Sequence, residues 1–393
     1  MISITPLAVI LVFIILIHTG YPLLLKSLQR YKASRLKSYA GEENYSRTSK
    51  RKSEPPELPV VSVIIPVHNE ELVIDRRLSN ILSSGYPRNK MQIVVVDSGS
   101  TDKTSSIVLE KFYDDVILVR EEHRQGKAHA INSGLGKCTG DIVIVTDGPA
   151  LYAKDTIYQM VKCFEDPSVG GVSVLYKIPN GDESRSTVYE RTFWSHKDRL
   201  RVLEGALCST SWLSGEACAF RNKAIYEVHE DTLADDSNIA LQLISKNYRV
   251  VVNKNAQFTE KSPSKAKDYF RIKTRRSLGG LLETLRFRSL LFNRGYGCFG
   301  LIIFPYRFFC QFISPIVSFI ALGLALPAAI EIYGHLGIPD ALIVIGTVSA
   351  VCLFFREKIV AYIYTQLILM TALFAMLTRR ADVRWIQSQS TRL

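Results

Sequence analysis

The 393-residue sequence predicts an α/β fold, a mostly parallel sheet domain flanked by transmembrane helices. Three observations carry this. Between residues 60 and 147, short β-branched runs alternate with segments of helical spacing, the pattern of a parallel sheet covered on both faces. Polar clusters sit just after the strands, at the edge where open α/β sheets bind ligands. The apolar residues concentrate near the two ends of the chain, in stretches long enough to cross a bilayer.

The elements follow in order. Residues 5–25, TPLAVILVFIILIHTGYPLLL, suit a first transmembrane helix within segment 1–25. No basic residue precedes its core and no small-x-small site follows, which argues against a cleaved signal peptide. Segment 26–59 reads as a basic juxtamembrane linker, its part 41–59 (GEENYSRTSKRKSEPPELP) polar and Pro-containing. The domain, 60–276, opens with strand VVSVIIPV (60–67), and helix 70–85 follows, with Leu72, Ile74, Leu78, Ile81 and Leu82 on one face. Strand QIVVVD (92–97), helix 103–113, strand DVILVR (115–120), helix 126–136 and strand DIVIVTD (141–147) continue the rhythm. The second half is less regular: a strand at 171–177, helices at 186–205 and 235–247, and a strand at 248–252. Segment 277–311 predicts an amphipathic interfacial region, its helix 281–292 setting five leucines against Arg286 and Arg288. Segment 312–379 holds the C-terminal transmembrane helices, read as 312–333, 339–355 and 358–378, and 380–393 is a polar tail.

Charge orients the chain. Its formal net charge is +12. Nine Lys/Arg and two acids lie between Lys26 and Lys52, and ten Lys/Arg and two acids between Lys261 and Arg294. Both clusters abut apolar spans on the domain side, so the positive-inside rule predicts a multi-pass membrane protein with its domain in the cytoplasm. Such flanks also attract anionic membrane lipid. No nucleic-acid motif accompanies them, and no nucleic-acid partner is expected. Seven cysteines, with no C-x-x-C, fit a reducing compartment and argue against a disulfide framework or a structural zinc site.

Six segments, VSVIIPVHNEE, IVVVDSGSTDKT, GKAHAINSGLG, IVIVTDG, SGEACAFR and ADDSNIALQL, fall in the order and spacing of the family 2 glycosyltransferases. Over residues 60–276 the chain resembles these inverting enzymes, whose GT-A fold is Rossmann-like. The flanking spans resemble the integral-membrane branch of cellulose, chitin and hyaluronan synthases and ceramide glucosyltransferases. The resemblance implies that Pro66, His68 and Glu70 end the first nucleotide-binding strand, although the family often has an aromatic residue at position 68. It implies a base contact for Asp97, whose carboxylate can accept a uracil imide N–H. Lys127, at a predicted helix start, would meet the diphosphate. Gly215 and Glu216 would line the acceptor side, and Asp236 would be the general base. Arg275 stands at the Arg of the processive synthases' Gln-x-x-Arg-Trp motif, but Gln is replaced by Ile272 and Trp by Arg276. Losing that aromatic platform favours one or a few transfers over a long polymer.

Where the family carries Asp-x-Asp, this chain has Asp147 followed by Gly148 and Pro149. Asp147 remains as a metal ligand for Mg²⁺ or Mn²⁺, held largely by substrate phosphates. Metal-free catalysis by Lys127 and Arg275, and an inactive site, are the alternatives. The expectation is an inverting membrane glycosyltransferase using a UDP- or GDP-sugar and a lipid-linked or glycan acceptor. A processive polysaccharide synthase and a silent nucleotide-sugar-binding membrane protein remain as alternatives.

Overall fold

The computed structural model describes residues 4–43, 57–335 and 338–378. Eight strands form one sheet in the order β3-β2-β1-β4-β7-β6-β8-β5. They are β1 (Val61–Val67), β2 (Met91–Ser98), β3 (Ile117–Glu121), β4 (Ile142–Val145), β5 (Leu151–Tyr152), β6 (Val169–Lys177), β7 (Cys218–Arg221) and β8 (Arg249–Thr259). The first four are parallel, as their βαβ spacing predicts, with Val67 opposite Asp97 in the register of β1 and β2. β7 then runs antiparallel to β4 and β6, while β6 and β8 are parallel. The helices are α1 (Ile4–Glu43), α2 (Ile74–Leu82), α3 (Thr104–Phe112), α4 (Lys127–Leu135), α5 (Thr156–Lys162), α6 (Arg185–Leu207), α7 (Asp235–Ser245) and α8 (Ala266–Arg286). α9 (Phe304–Phe308), α10 (Ser314–His335), α11 (Ile338–Phe354) and α12 (Arg356–Leu377) follow.

The sheet is buried on both faces because side chains alternate along a strand. Val61, Val63, Ile65 and Val67 face a core shared with Ile74 and Leu78 of α2 and Val108 of α3. Ile64, Val94 and Val143 face the other side. That second core contains Ile131 of α4 and Ile239 of α7. It also contains Tyr21 and Leu25 of α1, and Phe299, Ile303 and Phe304. A helix apolar enough to span a membrane thus contributes side chains from its middle to the core of the sheet domain.

Among the described residues, three segments are long and apolar enough to cross a bilayer: Ile4–Ser34, Phe299–Gly334 and Arg356–Leu377. α11, with 17 residues, rises only about 25 Å against a hydrocarbon core of about 30 Å. The helix expected at 312–333 is the continuation of a longer run. Residues Phe299–Ile303 and Phe309–Ile313 are π-helical on either side of α9, so 298–311 is part of the candidate span and not a separate interfacial piece.

Other expected boundaries also shift. α1 does not give way to a linker after residue 25. Gln29 donates to the Leu203 carbonyl (2.5 Å) and Lys32 to that of Leu207 (3.0 Å), clamping this stretch onto α6. Residues 44–56 and the tail 380–393 lie outside the described residues. The boundary at 276/277 falls inside α8, and its leucine face is covered by protein. Leu278 and Leu281 pack with Ala372 and Leu373 of α12. The 281–292 segment is therefore an internal strut for most of its length, with Arg288 and Phe292 left outside.

Candidate active site

The expected site residues divide into two groups. Pro66, His68, Glu70 and Asp97 gather where β1 and β2 end. Pro66 pairs in register with Val96. His68 Nδ1–H donates to the Ser98 carbonyl (2.8 Å), and Asn69, at φ 54°, holds the Thr101 N–H at 2.8 Å. The Glu70 N–H donates to Thr104 Oγ1 (2.8 Å), and its side chain is buried. Asp97 is buried as well. Its Oδ1 accepts the Ser100 N–H at 2.9 Å and its Oδ2 accepts the Ser105 hydroxyl, so it also organises the turn into α3.

Lys127, Asp147, Gly215, Glu216, Asp236 and Arg275 form the second group, and all line one cavity of about 1270 Å³. None of the first four residues does so. Gly148 joins the groups, since a Cβ there would stand 3.4 Å from the Glu70 carboxyl carbon. Asp147 sits just past β4. The preceding Thr146 is fixed by donating to the Glu216 carbonyl (2.8 Å) and accepting from the fully buried Arg77 (2.5 Å).

Lys127 is the first residue of α4, preceded by Gly126 at φ 102°, a value that side chains disfavour. Its ammonium lies 2.8 Å from Asp147 and 3.1 Å from Asp235. Burial works against this charge, but the two carboxylates outweigh it and hold the Lys127 pKa above its usual value. Burial raises the pKa of Asp147; Lys127 opposes this, and Glu216 and Asp235 add to it. Asp236 lies in the first turn of α7, just after Asp235. Its Oδ1 accepts the Ser237 N–H (2.6 Å), and Oδ2 has no hydrogen-bond partner among the described residues. Burial and the neighbouring Asp235 raise its pKa, a shift that suits a general base. Glu216 pairs with Arg276 at 3.0 Å, so the residue standing where the processive motif has Trp is an ion-pair partner here. Arg275, half-buried on α8, has neither hydrogen-bond nor ion-pair partner among the described residues. Burial and Arg276 lower its pKa.

Among the described residues no three His, Cys, Asp or Glu side chains cluster as a metal site. Asp147 Oδ1 and Asp235 Oδ2 are buried and accept nothing beyond the Lys127 ion pair. Pro149 is buried and offers no side-chain ligand. This set fits a divalent cation held mainly by a diphosphate with Asp147 as a protein ligand, and does not fit a site built by protein alone. Around Lys127, the cations Lys127, Arg275 and Arg276 face four carboxylates, Asp147, Asp235, Asp236 and Glu216. An anionic donor approaching them needs further positive charge.

The match to known proteins follows this layout. Glycosyl transferase family 2 matches residues 62–229. The mannosyltransferase PcManGT of Pyrobaculum calidifontis, solved in complex with GDP-Man and Mn²⁺, superposes with a TM-score of 0.72 at 27% identity, over 95% of this chain and all of that one. Residues 62–229 form a glycosyl transferase family 2 domain. The chain is 27% identical to the probable glycosyltransferase YdaM of Bacillus subtilis (strain 168), over 67% of this chain and 65% of that protein. It is 30% identical to the beta-monoglucosyldiacylglycerol synthase of Nostoc sp. (strain PCC 7120), over 47% and 41%. The chain thus spans under two thirds of the length of these curated relatives. The α/β fold expected from the strand–helix rhythm agrees with this GT-A likeness, and the sheet has eight strands, β5 and β7 adding to the six read from the sequence.

Sequence reasoning missed much of the cavity wall. Glu190, Trp194, Lys197, Arg201 and Glu204 project from one face of α6 at helical spacing, and all but Lys197 are buried. Lys197 lies over the rings of Trp212 (3.7 Å) and Trp194 (4.5 Å). Burial first, then Arg201, Lys273 and Arg307, lower its pKa to about 7 against the opposing pull of Asp236. Glu190 holds Lys273 at 2.6 Å. A 3.6-residue stripe of charged and aromatic residues was the available signal. Asp235 was also passed over, although it adjoins Asp236. Beyond α6 the cavity wall includes Gln311, Tyr362 and Gln366, all in candidate membrane segments.

Proposed function

We propose that this chain is an inverting, multi-pass membrane glycosyltransferase with its catalytic domain in the cytoplasm. It moves a sugar from a UDP- or GDP-sugar onto a lipid-linked or membrane-proximal acceptor. One observation carries the reading: Lys127, Asp147, Asp236 and Arg275 share a cavity whose wall continues into the membrane segments.

In this reading the acceptor hydroxyl oxygen attacks the anomeric carbon from the face opposite the nucleotide. The bond from that carbon to the diphosphate breaks, the nucleoside diphosphate leaves, and the hydroxyl proton passes to Asp236. Asp97 and the ends of β1 and β2 receive the nucleoside, and Arg275 meets the diphosphate with uncommitted N–H donors. Asp147 would hold a divalent cation together with the diphosphate, and that cation would supply charge neutralisation of the leaving group. Lys127 keeps Asp147 in place before the donor arrives and then turns to the phosphates. The absence of the Trp platform, with Arg276 paired to Glu216, supports one or a few transfers.

The test is nucleotide release by the full-length protein in detergent with a panel of UDP- and GDP-sugars and a membrane lipid extract. Wild type should release nucleotide. Asp236→Asn should not, and Arg275→Met should raise the donor KM about tenfold or more. Donor binding without release from any sugar would replace this reading with a silent nucleotide-sugar-binding protein.

A further inference from the structure

The cavity holds a second concentration of positive charge, away from the Lys127 cluster. Lys197 stands 3.7 Å over Trp212, and Arg307 lies 5.0 Å from the same ring. Neither has a carboxylate within ion-pair distance among the described residues. The other cations nearby are neutralised: Arg201 by Asp198 at 2.6 Å and Lys273 by Glu190 at 2.6 Å. Arg307 is buried and spends three N–H groups on neutral oxygens, those of Ser211 (2.6 Å), Thr284 (3.0 Å) and Gly280 (3.3 Å). A guanidinium has five N–H donors and an ammonium three, so several remain for a ligand. Two cations set against one aromatic ring, neither in an ion pair, repel each other at low dielectric, and an anion that contacts both removes that cost. Lys197 and Arg307 line the same cavity as Asp236, so a bound anion would share that cavity with the attacking hydroxyl.

We propose that Lys197, Arg307 and Trp212 form an acceptor subsite for a phosphate group carried by the same molecule as the attacking hydroxyl. The proposal rests on the glycosyltransferase reading and adds the acceptor's class, a hydroxylated phosphate compound. The cavity wall that carries the subsite also includes Gln311, Tyr362 and Gln366 of the candidate membrane segments, which favours a phospholipid headgroup as the source of the phosphate. The phosphate is not consumed. It anchors the acceptor while the hydroxyl oxygen bonds to the anomeric carbon, its proton goes to Asp236 and the nucleoside diphosphate departs.

The experiment places the full-length protein in phosphatidylcholine nanodiscs with either diacylglycerol or phosphatidylglycerol as the hydroxyl-bearing lipid, and follows labelled sugar. Phosphatidylglycerol should be preferred at least tenfold. Lys197→Gln should raise its KM by about tenfold without moving the donor KM, and Lys197→Arg should restore it. Glycerol 3-phosphate added to nanodiscs without either lipid distinguishes the source, since efficient transfer to it assigns a soluble acceptor to the same subsite. Equal use of neutral and anionic lipids, or a Lys197→Gln effect equal on both, overturns the subsite and leaves glycosyl transfer standing. Native mass spectrometry gives a readout without turnover. Wild type should retain phosphatidylglycerol over diacylglycerol more strongly than Lys197→Gln does, and identical retention by the two proteins also overturns the subsite. Loss of nucleotide release in every wild-type sample speaks instead against the glycosyltransferase reading.

Discussion

Lys127 and Asp147 are joined by a 2.8 Å ion pair, which places the cation of one expected donor contact on the carboxylate of another. On the proposed function a donor would bind by exchange: phosphate would take Lys127 from Asp147, or a metal arriving with the phosphate would take Asp147 from Lys127. The second route leaves both carboxylate and ammonium compensated. EDTA should stop nucleotide release by wild type, and Mn²⁺ or Mg²⁺ should restore it. Asp147→Asn should release nucleotide at a low rate that is the same with metal and with EDTA. Wild-type release that survives EDTA would assign the leaving group to Lys127 and Arg275.

Asp236→Asn should lower kcat by about 10²- to 10⁴-fold, the range for a general base, with donor affinity kept. The raised pKa of Asp236 fixes the sign of the pH dependence. The base is protonated and idle at low pH, so kcat/KM should climb with pH through a midpoint above the usual aspartate range. That acid limb should be missing from the residual activity of Asp236→Asn. A variant that keeps the limb would place the base elsewhere.

Glu204 makes stability itself pH-dependent. Burial raises its pKa from 4.5 to about 7, although Tyr21 and Thr210 both donate to it, at 2.8 and 2.9 Å. The folded state keeps a proton that the unfolded chain loses near 4.5. This contribution, up to about 3 kcal/mol, is complete below that pH and is lost as pH rises through about 7. Melting of the detergent-solubilised protein should fall across this window, and Glu204→Gln should flatten the fall. An unchanged profile in the variant would rule Glu204 out as the cause.

Gly279 sets how closely α8 approaches the active-site loop. A Cβ there would lie 2.8 Å from the Leu233 carbonyl carbon, against backbone that cannot swing away. Gly279→Ala should cost about 1–3 kcal/mol of stability and shift Arg275 relative to Asp236. Donor KM and kcat should both suffer, whereas Gly323→Ala, with open space around its Cβ, should match wild type. Equal kinetics for the two variants would contradict this account of the packing.

How far the sequence was legible depended on whether its signal was local. β1 to β4 and their helices were readable because each burial pattern is carried by consecutive residues, such as VSVIIPV. Asp147 stood out because it ends one of those strands, whereas Lys127 and Asp236 were named through the family resemblance; all three line one cavity. α1 was cut short at residue 25 because Lys26 and Arg30 resemble the end of a span, whereas Gln29 and Lys32 find their partners on α6, more than 170 residues away. The leucines of 281–292 looked suited to lipid because nothing local reveals that α12 covers Leu281. Lys197 was missed for the same reason. Its importance lies in Trp212 and Arg307, which only the folded chain brings to it.

The shared core of sheet and membrane segments governs how the molecule comes into being. Leu25 and Phe304 are both fully buried in one cluster, yet some 280 residues separate them. At a synthesis rate of about 5–20 residues per second, tens of seconds pass between their appearances at the ribosome. Until residues 299–304 arrive, the second face of the finished sheet lacks part of its packing and Leu25 lacks its late partners. A shielding chaperone or a lipid surface would guard that face in the meantime.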